Sequence, residues 1–273
     1  VRLFVSELGI REIRLTGGEP LLRRDVIEIV SELNELRSLG LERIAMTSNA
    51  VRLAPVAQDL RDAGLDDINV SIDSITPERF KQMTNGRVEP VLQGLSAARQ
   101  AGLKTKLNAV VIRGYNDDEV LPLVRWAKQE DMSLRFIEFM PLDGRGFWSE
   151  EKVIRQDEIV DSLRTEFSVN ELPRTAEPAQ YFQLDGKYQL GIIPTISRPF
   201  CASCDRIRLS ATGALYSCLF SEQGHDLKTP LRNGAPDEEL AARVRQHVWH
   251  KEAGYALRPG YVERPITMHH LGG

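Results

Sequence analysis

The chain has 273 residues, 42% of them apolar, and carries 35 Lys and Arg against 39 Asp and Glu for a formal charge of −4. That length and composition allow a sizeable core in one large domain or two modest ones, and the slight negative charge gives no general pull toward nucleic acid or an anionic membrane. No segment is apolar for long enough to span a bilayer and no secretory leader opens the chain, while an odd set of three cysteines argues for a reducing, cytoplasmic setting over a disulfide scaffold.

Val1, Leu3, Phe4, Val5 and Leu8 form an amphipathic helical pattern, and with no initiator Met the chain reads as one that lacks its N-terminus. Residues 1 to about 145 then alternate two patterns. Short apolar runs at 12–16, 43–47, 67–72, 105–112 and 133–139 predict buried strands. Stretches of helical period at 24–38, 54–64, 76–83, 88–101 and 117–130 predict the helices between them. The Ala63-Gly-Leu and Ala101-Gly-Leu triplets predict glycine-closed helix ends. Strand and helix in repetition mean a parallel sheet, open or curled into a barrel. Beyond residue 145 the texture changes. A helix is predicted at 150–166, a hairpin with an Asp-Gly turn at 181–193, a second hairpin from Arg206 to Ser217 and a helix at 236–249. The division is 1–145 and 146–273.

Polar residues come after the strands repeatedly: Thr16-Gly-Gly-Glu-Pro, Thr47-Ser-Asn, Ser71-Ile-Asp and Glu138-Phe-Met-Pro. In parallel α/β folds the strand C-termini share one edge, where ligands bind. Gly17 and Gly18 allow close backbone approach, and Glu19 beside them suits an ammonium group. The same run also reads as a plain strand-to-helix turn. Arg14, Lys106 and Arg135 sit in or beside apolar strands, where an unpaired charge is costly, which favours a ligand or an ion pair. Met140 reads as core or as a platform for a flat ring. Asp66-Asp67 and Asn116-Asp117-Asp118 read as turn or cap residues, and His269-His270 as a solvated tail pair.

Cys201, Cys204 and Cys218 are the only cysteines, spaced C-x2-C-x13-C. Three thiolates can hold one metal centre and leave a coordination position open. The spacing suits an iron–sulfur cluster and a structural zinc site completed by His225 equally well. Arg206 and Arg208 come after Cys204 at a strand's period of two, which puts both forks on one face for a polyphosphate or simply on a solvated face.

Together Arg14-Leu-Thr-Gly-Gly-Glu-Pro-Leu-Leu-Arg-Arg-Asp, Met46-Thr-Ser-Asn, Asn69-Val-Ser-Ile-Asp-Ser, Phe136-Ile-Glu-Phe-Met-Pro, Phe200-Cys-Ala-Ser-Cys-Asp-Arg-Ile-Arg-Leu and the terminal Gly272-Gly273 resemble the GTP 3',8-cyclases from end to end. These are radical S-adenosylmethionine (SAM) lyases that open molybdenum cofactor biosynthesis. The resemblance implies a partial (βα)6 barrel closed by a small C-terminal α+β domain. It implies an auxiliary [4Fe-4S] cluster on Cys201, Cys204 and Cys218, its open iron facing guanine. SAM contacts are implied at Gly17, Gly18, Glu19, Ser71 and Met140, and GTP contacts at Arg14, Thr47, Lys106, Arg135, Arg206 and Arg208. It further implies a 5'-deoxyadenosyl radical that takes hydrogen from ribose C3', ring closure onto guanine C8, a homodimer, a tail that reaches the site and a product passed to cyclic pyranopterin monophosphate synthase.

The family's C-x3-C-x2-C motif for the SAM-cleaving [4Fe-4S] cluster is not among these residues. The expectation is therefore a truncated chain that does not cleave SAM alone. Two smaller departures are Glu12, where a basic residue is common, and Thr47-Ser-Asn-Ala, where Thr-Thr-Asn-Gly is usual. Two alternatives remain: another radical SAM enzyme with an auxiliary cluster, such as a peptide-modifying one, and a zinc-stabilised nucleotide-binding module without catalysis.

Overall fold

The alternating patterns become strands and helices at nearly the positions that the sequence predicts. The computed structural model describes residues 1–142, 146–175, 177–201, 204–221 and 223–251. Its helices are α1 (Arg2–Ser6), α2 (Val26–Glu35), α3 (Ala57–Asp62), α4 (Pro77–Thr84), α5 (Glu89–Gln100), α6 (Val120–Gln129), α7 (Gln156–Arg164), α8 (Lys228–Arg232) and α9 (Asp237–Trp249). Its strands are β1 (Glu12–Leu15), β2 (Arg43–Ser48), β3 (Asp67–Ser71), β4 (Lys104–Val111), β5 (Ser133–Glu138), β6 (Val169–Glu171), β7 (Gln180–Leu184), β8 (Tyr188–Ile193), β9 (Arg208–Leu209), β10 (Ala214–Tyr216) and β11 (His225–Asp226).

Eight strands form one sheet in the order β1-β2-β3-β4-β5-β8-β7-β6. The first six of that order run parallel, and β7 and β6 add antiparallel at the edge. Residues 143–145, where the sequence suggests a division, lie outside the described residues, and the sheet runs on past them because β8 pairs with β5. The hairpin that delivers β8 turns through Asp185 and Gly186, both at positive φ, as the Asp-Gly signal predicts. Gly64 and Gly102 also take positive φ at the ends of α3 and α5.

Period two decides which face is buried. Ile44, Met46, Ile68, Val70, Leu107, Leu134 and Phe136 all point to the helix side and are fully or almost fully buried. Against them pack Val26, Val30 and Leu33 of α2, Val91 and Leu95 of α5, and Leu123 and Val124 of α6, in one continuous core. Each such side chain contributes roughly 1.5–3 kcal/mol by leaving water. A second, small cluster joins Leu215, Leu227 and Val244 to Phe4, Leu8 and Ile207, and so seats the β9–β10–β11 sheet on α1 and α9.

One buried carboxylate ties the end of β5 to α7 and to the exit of β8. Glu138 is fully buried. Its Oε1 accepts the Gln156 N–H at 2.7 Å and the Ser197 hydroxyl. Its Oε2 accepts the Ile196 and Ser197 N–H groups at 2.7 Å each. The Thr195 hydroxyl adds a bond to its backbone oxygen at 3.0 Å. No cation pairs with it in these bonds; donors alone satisfy it, three of them backbone amides, one being the otherwise orphaned first N–H of α7.

The second hairpin is shorter than its sequence suggests. Its first strand begins at Arg208, so Arg206 precedes the strand and the two arginines differ in setting: Arg206 is exposed and Arg208 half-buried. Asp67 is also not a turn residue. It opens β3 and is buried against Arg43. Ala50 takes a φ of 59°, in the left-handed region that favours glycine.

Replacing Glu138 by Ala leaves three backbone N–H groups buried without acceptors, and we expect a loss of about 3–5 kcal/mol. Urea or thermal unfolding measures this, and a loss under about 1 kcal/mol would show that Glu138 is not the tie.

Candidate active site

In-register parallel pairing carries polar residues from strand to strand on the face opposite the helices. Arg14 is paired with Ala45, Thr47 with Asn69, Asn69 with Lys106, Ser71 with Asn108, and Asn108 with Arg135. Paired residues share a face. Arg14, Thr47, Ser71, Lys106 and Arg135, each singled out in the sequence, therefore lie on one surface.

The cations on that surface are treated in two ways. Arg43 is neutralised: its Nε and Nη2 donate to Asp67 at 2.6 and 2.9 Å, and its Nη1 donates to Glu12 at 2.9 Å. The bond to Asp67 raises its pKa despite burial. Arg14 and Lys106 make no hydrogen bond to another described residue. Burial lowers the pKa of Arg14, and the repulsion of Arg43 and Arg135 lowers it further against the pull of Asp67 and Glu12. Burial likewise lowers Lys106, helped by Arg135 and Arg43 and opposed by Glu177 and Asp67. Arg135 is lowered by burial, with Tyr181 and Glu177 opposing. Partly buried cations with no carboxylate hydrogen-bonded to them are relieved by a polyanion. A cavity of about 360 Å³ opens beside them, lined by Lys106, Ser133, Arg135, Glu177, Tyr181 and Gln189 among others.

The C-terminal ends of β1, β2, β3 and β5 lie along one edge of the parallel strands. Gly17 takes a φ of 134°, and a Cβ on Gly18 would meet nothing within 4 Å, so the backbone there is open to close approach. Glu19 bridges the ends of β1 and β2. Its Oε1 accepts the Leu21 N–H at 3.0 Å and the Ser48 hydroxyl at 2.8 Å, and its Oε2 accepts the Asn49 N–H at 2.7 Å. Each carboxylate oxygen accepts about two bonds, so Oε2 retains capacity for one more donor. Ser71 is exposed at the end of β3 and Met140 is half-buried just past β5. Past the end of β3, Asp73 accepts the Val110 N–H at 2.8 Å, and burial pushes its carboxyl up to about 6.

The cysteines lie in and around the β9–β10 hairpin. All three are outside any disulfide and partly exposed. Arg208 is opposite Tyr216 in the ladder, and Cys218 lies two residues on. Burial lowers the Arg208 pKa, Arg206 lowers it further, and Cys204 and Cys218 act against both, so this guanidinium interacts electrostatically with two of the cysteines. Burial alone would raise the Cys204 thiol. A hydrogen bond from the Arg206 backbone and the charges of Arg206 and Lys251 outweigh it and favour the thiolate. Lys251 Nζ also donates to the Cys204 carbonyl at 2.7 Å. The Arg206 guanidinium lies 4.9 Å over the Phe200 ring. The donor set, three sulfurs outside any disulfide and among cations, suits an iron–sulfur cluster. Among the described residues no three His, Cys, Asp or Glu are gathered to hold a metal ion, the cysteines included. His225 stacks on His247 with ring centroids 5.4 Å apart, so its ring is engaged with α9. Gly272-Gly273 and His269-His270 lie outside the described residues.

Known proteins share both halves of this arrangement. Residues 1–127 match the Radical SAM superfamily and residues 132–257 match Molybdenum Cofactor Synthesis C. A GTP 3',8-cyclase of Streptomyces coelicolor is 41% identical over 280 residues, covering 100% of this chain and 82% of the relative. The chain belongs to the GTP 3',8-cyclase family. A second GTP 3',8-cyclase, from Aquifex aeolicus, is 39% identical and covers 100% of this chain and 84% of its own length. Streptococcus suis SuiB has a similar solved structure, with a TM-score of 0.59 at 12% identity, covering 90% of this chain and 60% of that one. At that identity the likeness concerns the fold alone, an α/β arrangement with a mostly parallel sheet. Among the described residues no helix is long and apolar enough to cross a membrane.

Within this GTP 3',8-cyclase fold, the sequence did not single out Asn69, Asn108, Asp67 and Asp73 as site residues. The available signal was parity. Asn69 and Asp73 stand two residues either side of Ser71, Asn108 stands two beyond Lys106, and Asp67 stands two before Asn69.

The raised Asp73 carboxyl carries a pH consequence. Its folded pKa exceeds the unfolded value, so the folded state holds the proton between about 4 and 6, and stability falls as pH rises through that window. We expect Asp73→Asn, which keeps the acceptor for Val110, to gain on the order of 2–3 kcal/mol at pH 7 and to flatten that slope. Unfolding curves at pH 4, 5, 6 and 7 check both.

Proposed function

We propose that this chain acts as a radical SAM lyase that converts GTP to (8S)-3',8-cyclo-7,8-dihydroguanosine 5'-triphosphate, the first step of molybdenum cofactor biosynthesis. The observation that carries the residue assignments is the surface on which Arg14, Lys106 and Arg135 share one face, partly buried and without a hydrogen-bonded carboxylate, while Arg43 is neutralised. A triphosphate is the chemical class that suits this arrangement, with Thr47 adding a hydroxyl on the same face. Arg206 and Arg208 add two forks beside the cysteines.

SAM binds at the strand ends. Glu19 offers its remaining Oε2 acceptor to the SAM ammonium, Gly17 and Gly18 let the ligand approach the backbone, Ser71 supplies a hydroxyl and Met140 packs on the adenine. Cys201, Cys204 and Cys218 would hold an auxiliary [4Fe-4S] cluster, which with three thiolates would offer an open coordination position to the guanine. SAM bound with its own [4Fe-4S] cluster would supply the hydrogen-abstracting chemistry, and the ligands of that second cluster are not among these 273 residues. The chain's own contribution is to fix the triphosphate, orient the ribose and keep water from the reacting carbon. We take the architecture as a partial (βα)6 barrel (residues 1–145) closed by a C-terminal domain (residues 146–273), in a homodimer in the cytoplasm that hands its product to cyclic pyranopterin monophosphate synthase.

Two measurements test this. After anaerobic reconstitution we expect about four irons per chain, lost in Cys218→Ser, and zinc in their place would overturn the cluster assignment. In a GTP titration Arg206→Ala with Arg208→Ala should abolish measurable affinity, and unchanged binding would remove both arginines from the phosphate site.

A further inference from the structure

Arg135 donates to two neutral amides, unlike Arg43 on the same face, while Tyr181, hydrogen-bonded to Glu177, also faces it. Its Nε donates to Asn108 Oδ1 at 3.0 Å and its Nη2 to Asn69 Oδ1 at 2.9 Å. Both partners are amides, Asn108 directly opposite on β4 and Asn69 one strand further on β3. A guanidinium only donates, so the amide oxygens must face it and the orientation of both side chains is fixed. On the other side β8 contributes Gly191, paired with Arg135 in the ladder. A Cβ there would stand 2.7 Å from Arg135 Cγ and 3.2 Å from Tyr181 Cε1, so the arginine stem occupies the room a side chain would need. Arg43 shows the alternative: a bidentate carboxylate that consumes the charge.

We propose that Asn69, Asn108 and Gly191 are positioning residues that hold Arg135 in one orientation without neutralising it, so that its remaining N–H groups stay available to the triphosphate. Two neutral bonds fix the planar fork and remove its rotamer freedom before the ligand arrives, and neither bond brings a counter-charge of its own. This rests on the reading of Arg135 as a GTP contact.

The test is a double-mutant cycle on GTP affinity, measured by titration of the anaerobically reconstituted 273-residue chain, with thermal unfolding of each variant alongside. Asn69→Ala, Asn108→Ala and Gly191→Ala are made alone and combined with Arg135→Ala. We expect Arg135→Ala and each single positioning variant to weaken GTP about tenfold, the size of one charged hydrogen bond. In the Arg135→Ala background the positioning variants should cause no further loss. Equal losses in both backgrounds would overturn the positioning role and leave Arg135 as a phosphate contact. Unchanged affinity in Arg135→Ala would overturn the contact itself. The three variants lie on three different strands, so failure of one to fold leaves two that decide the question.

Discussion

In-register parallel pairing is the constraint on which the rest of this molecule depends. Once β1 to β5 and β8 pair side by side, every second residue of six strands is committed to one face. The apolar set goes under the helices and the polar set goes to the opposite surface. A slip of one residue in β4 or β5 would bury Lys106 or Arg135 among the helices, at a cost far above that of a lost apolar contact. The hydrophobic core therefore fixes the register, and the register assembles the cations.

Charge is handled in three distinct ways across the structure. Glu138 is buried and is held by donors, several of them backbone amides, which makes it a structural tie between β5, the exit of β8 and the start of α7. Arg43 and Asp67 neutralise each other by a bidentate bond, so their pairing supports the sheet and offers little to a ligand. Arg14, Lys106 and Arg135 are left partly buried without a hydrogen-bonded carboxylate, the last two lining a cavity, a state that a bound anion resolves. The same residue types thus serve stability or binding according to their partners.

The hairpin that carries the cysteines obeys a different logic. It is small, and its own core comes from α1 and α9 as much as from its strands. Its chemistry lies in neighbouring charges: Arg208 favoured by the charges of Cys204 and Cys218, and Arg206 and Lys251 favouring the Cys204 thiolate. Cations beside thiols lower the cost of the thiolates that a metal centre requires.

By itself the sequence determined the strand and helix order to β5, the turn at Asp185-Gly186 and the identity of the family, because period, turn chemistry and motif order are local properties of the chain. It also marked Arg14, Lys106 and Arg135, since a charge inside an apolar run is visible without coordinates. Only the tertiary structure decided which of the cations is neutralised. Asp67 read as a turn residue until pairing brought Arg43 against it, and Asn69 and Asn108 carried no signal of their own until the ladder set them against Arg135. The addition of β8 to β5, and with it Gly191 beside Arg135, likewise joins residues more than fifty positions apart. Contacts of that kind are set by register across strands, and register is a property of the assembled sheet.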